Sequence, residues 1–260
     1  LTGAVASVTG DKLAAVPVAN VAEALQGKLT GVQITAQDGR PAGEMSIRVR
    51  GGGSITQSND PLFIVDGVAV SSIDDIPADN IESIDVLKDA SSTAIYGARG
   101  ANGVILVTTK AAKDGKPVVK YNMYYQIKAE PKLLKLQDAY TYVRDRWEYM
   151  QAVGYGDNMA AYYGLGSEKG NHLNDYHGVD SHNYMDDVYR SGHVWNHDLS
   201  LSGGTDKTRY YAAVNYLDDV STMKKSGHRR WNVNVKLQQS ITKNLKLDVD
   251  ARYNEVRTQL

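Results

Sequence analysis

Apolar and polar residues alternate strictly through the second half of the chain. Between residues 118 and 129 the odd positions are apolar and most even positions are polar. The apolar positions are Val119, Tyr121, Met123, Tyr125, Ile127 and Ala129. Successive side chains of a strand point to opposite faces, so this pattern predicts a strand with one apolar face. Its length exceeds the usual strand of a globular sheet and fits the ~10 residues of a tilted membrane strand.

Four further segments alternate in the same way. Their apolar positions are Trp195, Leu199 and Leu201; Tyr210, Ala212, Val214 and Tyr216; Trp231, Val233, Val235 and Leu237; and Leu245, Leu247, Val249, Ala251 and Tyr253. Tyr or Trp lies near the end of several segments, as the aromatic girdle of a membrane barrel requires. The second half of the chain therefore predicts five strands of period two.

The connections between these strands alternate in length. Residues 203–207 and 240–244 form tight turns, whereas residues 218–228 and especially 130–193 form longer connections. Short turns at one end and long loops at the other are typical of outer-membrane β-barrels. A water-soluble antiparallel sandwich would show the same alternation along its strands, and the pattern alone leaves that alternative open.

The first 116 residues carry short apolar runs between glycine-rich or proline-bounded loops. Each run is short enough for a buried strand and too short for a helix. We expect strands at residues 32–35, 45–50, 62–70, 81–87 and 103–110. Asp66 and Gly67 predict a bulge or kink within the third of these. The whole predicts a compact α+β unit that ends in a polar linker at residues 113–117.

Short helices are predicted at three places in this unit. Asn20, with Glu23 at capping-box spacing, predicts a helix that ends at Gly31. Pro77 suits the first position of a second helix, which runs through residue 80. A third is expected over residues 90–96, with Asp89 as its cap and Gly97 as its end.

Two glycine-rich strings raise the question of nucleotide binding. Residues 51–53 are three glycines without the order or the following lysine of a phosphate loop. Gly97, Gly100 and Gly103 come after a predicted helix and before a strand, which reverses the order of a dinucleotide fold. Both strings therefore predict tight backbone turns.

The long connection at residues 130–193 contains one helical pattern, which predicts a helix over residues 138–153. His172, His177 and His182 recur every five residues, a spacing that does not place them on one helix face. No zinc-protease motif is present. A solvated loop that could contact sugars or a partner protein is favoured over a metal site.

Composition narrows the class of protein. The formal net charge of −1 at pH 7 implies no nucleic-acid partner, and the absence of cysteine excludes disulfides and thiolate metal sites. The sequence contains no run of eighteen apolar residues, so no transmembrane helix is predicted. The 17 tyrosines against one phenylalanine suit positions with one wet and one apolar end, as at a bilayer interface.

Motifs in the first half carry a resemblance to a known family. They are residues 47–51 (Ile-Arg-Val-Arg-Gly), 58–62 leading into 65–67 (Val-Asp-Gly), 81–84 with 87–90, and 96–103. In this order they resemble the plug domain of TonB-dependent outer-membrane transporters, and more narrowly the SusC/RagA family. The resemblance extends over the whole chain, because the second half has the pattern of barrel strands.

The resemblance implies an α+β plug domain at residues 1–116, followed at 117–260 by antiparallel strands of a transmembrane β-barrel. About five strands are present, and residues 130–193 would form a long extracellular loop. Five strands cannot close a barrel, and unpaired strand edges are not tolerated in lipid. We therefore expect the N-terminal part of a larger receptor, with an extension domain and a TonB-binding segment upstream.

The function implied by the resemblance is energised import across the bacterial outer membrane. The expected partners are TonB, a SusD-like surface lipoprotein acting as a lid, outer-membrane lipid, and an oligosaccharide or peptide substrate. No catalytic residue and no cofactor are expected. The alternatives are a siderophore or signalling receptor of the same fold, and a soluble or secreted β-rich binding protein.

Two groups of site residues follow from the resemblance. The substrate-facing plug loops would present Gln37, Asp38, Arg40, Thr56, Gln57 and Asn59. Plug signature positions and breakable salt bridges would involve Arg48, Arg50, Asp66, Glu82, Lys88 and Arg99. Arg48 and Arg50 should share one strand face and pair with acids of the inner barrel wall or, within the plug, with Glu82 or Asp85.

Overall fold

A computed structural model provides the structure, and it describes residues 5–37, 40, 43, 45–49, 59–89, 93–155, 162–163 and 172–259. The chain divides into two compact units. The first comprises Leu1–Ala129 and Ser191–Leu260, and the second comprises Glu130–Arg190. The predicted domain boundary near residue 117 lies inside the first unit.

The amino-terminal part of the first unit, here called the plug, is built on a five-stranded sheet of order β1-β6-β7-β4-β5. All neighbours are antiparallel except β4 and β7. A separate hairpin pairs β2 with β3. The strands are β1 Val5–Thr9, β2 Val32–Ala36, β3 Met45–Val49, β4 Leu62–Val65, β5 Val68–Val70, β6 Ile81–Leu87 and β7 Val104–Thr109.

Two short helices cover this sheet, α1 at Gly10–Ala14 and α2 at Val21–Leu25. Asn20 caps α2 as predicted, and its side chain accepts a hydrogen bond from the Ala22 amide at 2.8 Å. The helix ends at Leu25, six residues before the predicted end at Gly31. Turns follow instead, in which Gly27 and Gly31 have φ of 73° and 70°. Leu13 and Leu25 are completely buried and close the core over Ile81 and Ile84.

The predicted kinked strand over residues 62–70 is wrong, because the structure has a β-hairpin there. Val65 of β4 pairs with Val68 of β5, so Asp66 and Gly67 are the whole turn. Their φ angles of 47° and 87° are both positive, which a two-residue type I′ turn requires. Asp-Gly is a preferred sequence for that turn, and the chain reverses direction at this point.

The region around Gly97 also differs from the prediction. A 3₁₀ helix spans Ala94–Gly100, and Gly97 lies inside it with a non-helical φ of 59°. Residues 90–92 of the predicted helix lie outside the described part of the chain. A second 3₁₀ helix at Ala78–Asn80 follows Pro77, as predicted.

The second half of the first unit is an antiparallel meander of five long strands, here called the wall, in the order β12-β11-β10-β9-β8. Its strands are β8 Gly115–Lys128, β9 Gly192–Gly204, β10 Thr208–Val220, β11 Gly227–Thr242 and β12 Leu245–Gln259. They contain 13 to 16 residues each, which confirms the five predicted long strands. The connection at residues 221–226 is shorter than predicted because β10 and β11 extend further.

The two faces of the wall differ in chemistry. The inner face lies against the plug and buries Asn196, Asp198, Asn215, Arg230 and Asn234. The outer face exposes large apolar side chains. Those of the central strands are Trp195, Leu199, Leu201, Val214, Trp231 and Val235. The predicted alternation therefore separates a polar inner face from an apolar outer face.

An aromatic row crosses the outer face near one end of the strands. Tyr125 contacts Trp195, and Tyr216 contacts Trp231, with ring centroids 4.5 Å apart in both pairs. His197 connects them by stacking on Trp195 and Tyr216. Such a row is typical of the aromatic girdle at a membrane–water interface.

The second unit contains helix α3 at Ala139–Ala152, a 3₁₀ helix at Leu173–Gly178 and helix α4 at Tyr184–Val188. Asp138 caps α3 by accepting from the Thr141 amide at 2.7 Å, in agreement with the predicted start. Among the described residues, His177 stacks on Tyr140, and no group of three or more His, Cys, Asp or Glu side chains is placed to hold a metal ion. No helix in the described part of the chain is long and apolar enough to cross a membrane.

The packing of α1 on β6 gives a first prediction. Gly10→Ala would drive a Cβ into the carbonyl oxygen of Ile81, whose backbone is fixed inside the sheet. We expect the plug to lose about 1–3 kcal/mol of unfolding free energy, as overpacked sites do. The urea concentration at which residues 1–116 become protease-sensitive would measure it. Gly178→Ala is the control, since a Cβ there meets no atom within 4 Å, and an equal effect of both variants would contradict the prediction.

Candidate functional site

The plug and the inner face of the wall meet along a seam of polar contacts. Four wall side chains hydrogen-bond to the plug segment 74–80. Arg230 Nη1 donates to the Asp74 carbonyl at 2.9 Å, and Asn232 Nδ2 donates to the Asp75 carbonyl at 2.8 Å. Asn122 Nδ2 donates to Asp79 Oδ1 at 2.9 Å, and Tyr211 Oη donates to Asn80 Oδ1 at 3.1 Å. A fifth contact joins the Tyr124 hydroxyl to the Val18 carbonyl at 3.1 Å. A small apolar cluster of Ala112, Tyr211 and Ala213 adjoins them.

Asp66 is the most highly connected residue of the seam. The β4–β5 turn presents its carboxylate, which accepts from the Thr109 amide at 2.9 Å and the Thr109 hydroxyl at 2.6 Å. From the wall, Lys236 Nζ lies 2.9 Å from Oδ2, and Arg252 donates to the same oxygen. Asp250 completes the group, 2.9 Å from Arg252 and 3.6 Å from Lys236. Thus one plug carboxylate binds two adjacent wall strands.

The Asp66 group is partly withdrawn from water. The side chains of Asp66 and Lys236 are only 17% and 13% exposed, so solvent screens their attraction weakly. Burial acts to raise the pKa of Asp66, but hydrogen bonds from Thr109 and Lys236 outweigh it and hold the pKa below its usual value. The carboxylate is therefore charged near neutral pH and balanced by the two wall cations.

Two further ion pairs near the seam are more exposed. Lys113 pairs with Glu82 at 3.1 Å, with side chains 70% and 44% exposed. Arg209 binds Asp114 through two nitrogens, and both side chains are largely in solvent. Exposed pairs of this kind typically contribute less than about 1 kcal/mol. The strongest electrostatic link between plug and wall is therefore at Asp66.

The predicted substrate-facing residues fall partly outside the described chain, where Asp38, Thr56 and Gln57 lie. Arg40 lines a cavity of about 320 Å³ between the start of α2 and the ends of β8 and β10, next to Glu23 and Lys128. Gln37 lines a second cavity of about 500 Å³ within the plug, together with Asp60 and Arg99. Asn59 immediately precedes that cavity's lining at residues 60–63. Substrate contact by these residues stays a prediction.

Of the predicted signature and salt-bridge residues, Asp66 and Glu82 form ion pairs, but with partners other than those expected. Arg48 is exposed on β3 opposite Gln33, and Arg50 lies outside the described residues. Glu82, proposed as a partner for these arginines, pairs with Lys113 instead. Asp85 accepts a hydrogen bond from Ser83, and Lys88 donates to the Thr30 carbonyl.

The polarity of the main contact is also reversed. We expected plug arginines to meet acids of the wall, whereas at Asp66 a plug acid meets the wall bases Lys236 and Arg252. The sequence did place Lys236 and Arg252 on the polar face of their strands. A single sequence does not show which distant charges pair. Asp66 is 170 residues from Lys236, so this contact was not predicted.

The first 104 residues match the family model described as TonB-dependent Receptor Plug Domain. Over its whole length the chain is also 35% identical to TonB-dependent receptor P26 of Formosa agariphila, of which it covers 26%. The chain belongs to the TonB-dependent receptors. A second relative is TonB-dependent receptor SusC of Bacteroides thetaiotaomicron, 33% identical over 97% of this chain and 24% of the relative.

Solved structures agree with these relatives. The RagAB peptide importer in its closed-closed state superposes with a TM-score of 0.81 at 28% identity, covering 99% of this chain and 31% of that one. The siderophore receptor PirA of Acinetobacter baumannii shares the fold, with a TM-score of 0.59 at 17% identity over 98% of this chain and 32% of that one. The receptor is therefore of the SusC/RagA type.

Three predictions are thereby confirmed: the family, the fold of plug plus antiparallel wall strands, and the outer-membrane location. The alternative of a soluble sandwich is wrong, since the whole chain matches a TonB-dependent receptor and the RagAB importer. The chain spans about a quarter of the length of the curated relatives that it matches.

The Asp66 group gives a second prediction. Asp66→Asn removes the charge that faces Lys236 and Arg252 but leaves the turn and Thr109 in place. We expect the plug–wall contact to weaken by about 1.5–3 kcal/mol, the range for hydrogen bonds to charged groups. The loss is limited because both cations keep Asp250 as a partner. A double-mutant cycle with Lys236→Met in the full-length receptor, read as urea resistance of the plug, would isolate the pair.

Glu82→Gln is the matched control for this cycle, because the Glu82 pair with Lys113 is exposed. It should cost less than about 1 kcal/mol. Equal losses from the two substitutions, or no coupling between Asp66 and Lys236, would show that the seam is not centred on this group.

The pKa of Asp66 gives a third prediction. Its folded-state value lies below the ordinary 3.8, so its stabilising contribution is complete above that pH and is lost as the pH falls through the lower folded-state value. The urea resistance of the plug should therefore fall more steeply on acidification in the wild-type receptor than in the Asp66→Asn variant. Parallel pH profiles for the two proteins would contradict this.

Proposed function

We propose that this chain forms the plug and first wall strands of a SusC/RagA-type importer that carries glycan or peptide oligomers into the periplasm. TonB would supply the energy by pulling on the plug. The oligomer would bind above the plug, between plug loops and wall, and would pass when the plug shifts or partly unfolds. No covalent step is involved, and the relatives are named as receptors and importers.

The observation that carries the proposal is the polar seam. A dry apolar contact would lose its full hydrophobic stabilisation on opening, about 25 cal/mol for each Å² exposed. Hydrogen bonds and ion pairs are replaced by bonds to entering water, so each contributes only about 0.5–3 kcal/mol net. The contacts of Asp66, Asn80, Arg230 and Asn232 can hold the plug at rest and still be broken by a modest pull.

The substrate class rests on two supports. RagAB is named a peptide importer, and SusC is a receptor of the same type as this chain. The plug-loop residues Gln37, Asp38, Arg40, Thr56, Gln57 and Asn59 offer amide, hydroxyl and charged groups. Such groups hydrogen-bond both sugar hydroxyls and peptide backbones.

A SusD-like surface lipoprotein is the proposed lid. Residues 130–190 are the candidate contact surface, because this unit exposes several tyrosine side chains. The exposed tyrosines of this unit are Tyr142, Tyr149, Tyr155, Tyr162 and Tyr184. Tyrosine is enriched at protein interfaces for its large, amphipathic contact area.

Uptake by a deletion strain tests this function. The strain, complemented with the wild-type receptor, would be supplied with labelled oligosaccharides, labelled oligopeptides or a ferric siderophore. We expect the receptor to restore uptake of an oligosaccharide or peptide pool and a tagged receptor to copurify with a surface lipoprotein. Restored uptake of the siderophore alone, without a lipoprotein partner, would replace the proposal with a siderophore receptor.

A further inference from the structure

A row of amide and carboxyl side chains crosses the inner face of the wall at one level. In the strand registers Asn122 lies opposite Asp198, Asp198 opposite Asn215, Asn215 opposite Asn232, and Asn232 opposite Asn254. Directly opposite side chains have Cβ atoms about 4.5–5.5 Å apart, so neighbours in the row can share a ligand. Asp198 and Asn215 are only 3% and 1% exposed.

Oxygen acceptors without donors are concentrated in this row. Within the described part of the chain, Asp198 Oδ2, Asn215 Oδ1 and Asn232 Oδ1 are buried and have no hydrogen-bond partner. Exchanging the oxygen and nitrogen of the Asn215 amide would not remove the unpaired acceptor. The nitrogen already donates to Asn196 Oδ1 at 3.0 Å and to the His197 carbonyl at 3.3 Å, and the exchange would break both hydrogen bonds. Buried acceptors left unpaired cost about 1–3 kcal/mol each, so these oxygens require a hydrogen-bond donor or a cation as partner.

A second carboxylate reaches the row from the plug. Asp79 is held by Asn122 of β8 at 2.9 Å, and the next residue, Asn80, is held by Tyr211 of β10 at 3.1 Å. These two strands flank β9, which carries Asp198. The charge of Asp79 therefore acts on Asp198 across the seam, and the ammonium group of Lys110 acts in the opposite sense.

We propose that a hard cation binds in the seam between Asp79 of the plug and Asp198 of the wall, with the Asn215 amide oxygen as a further ligand. Carboxylate and amide oxygens are the ligands that calcium and similar cations take in proteins. The cation would satisfy the unpaired acceptor oxygens of Asp198 and Asn215. Because its ligands come from both sides of the seam, it fastens the plug to the wall at a second point, distinct from Asp66.

The test compares cation binding by four forms of the full-length receptor purified in detergent. Each is stripped with a chelator, exchanged into choline chloride and titrated with calcium chloride or, separately, sodium chloride. The variants are Asp198→Asn in the wall, Asp79→Asn in the plug and, as control, Asp248→Asn. Asp248 lies on the same inner face but is exposed near the other end of the strands.

For the wild type and Asp248→Asn, we expect one of the two cations to raise the melting temperature by at least about 2 °C. Asp198→Asn and Asp79→Asn should each weaken that response at least about tenfold in cation concentration. If calcium is the ligand, each should also carry one fewer calcium ion by elemental analysis. Asp79→Asn keeps the test valid if the wall variant fails to assemble.

Equal responses in all four forms would overturn the proposal and leave ordered water, a proton or the Lys110 ammonium as partner of these oxygens. A high-resolution density map would overturn it equally if the density between Asp79 and Asp198 had only contacts of water length. Oxygen ligands of calcium lie at about 2.3–2.6 Å. Neither result depends on which substrate the receptor carries.

Discussion

One carboxylate at a β-turn joins the two halves of the first unit. Asp66 can occupy the left-handed position of a type I′ turn, and this turn aims its side chain at Thr109 and at two basic residues of the wall. The contact requires β4, β5 and β7 to be correctly paired inside the plug, and β11 and β12 to be in register within the wall. It therefore forms only when both sheets are correctly paired, and because it is ionic, water could replace it if the plug were displaced as proposed.

The opposite faces of the wall explain why this link is polar. Lipid accepts only apolar side chains over the membrane span, and the outer face supplies them together with the row of Tyr125, Trp195, Tyr216 and Trp231. Strand alternation then places the alternate positions of each strand on the inner face, where polar residues face the plug. Asn, Asp, Arg and Lys hold the plug by directional bonds whose geometry specifies one docked position. The hydrophobic effect stabilises the plug interior instead, through residues such as Ile84 and Ile105.

The long strands and their two faces could be predicted from the sequence, because strict alternation of apolar and polar residues over a dozen positions indicates a strand and fits few other structures. The caps at Asn20 and Asp138 were also predictable, since a side chain and the helix that it caps are neighbours in sequence. The hairpin at Asp66 was missed although Asp-Gly is a turn signal, because two runs of three or four residues resemble one interrupted strand. The site was predicted least well: Asp66 meets Lys236 across 170 residues, and a single sequence holds no information on which distant charges pair.

The central claim is that the inner face of the wall is covered by the plug at rest and uncovered during transport. None of the 260 residues is cysteine, so a thiol at the buried inner position Asn234 and one at the outward position Val235 can be compared in otherwise identical chains. The measurement is the rate of reaction with a membrane-impermeant maleimide in cells, with and without substrate and an energised inner membrane. We predict that Asn234→Cys is protected at rest and becomes reactive only during energised transport, while Val235→Cys stays unreactive in lipid. Rapid labelling of Asn234→Cys at rest, or labelling of Val235→Cys from water, would contradict this claim.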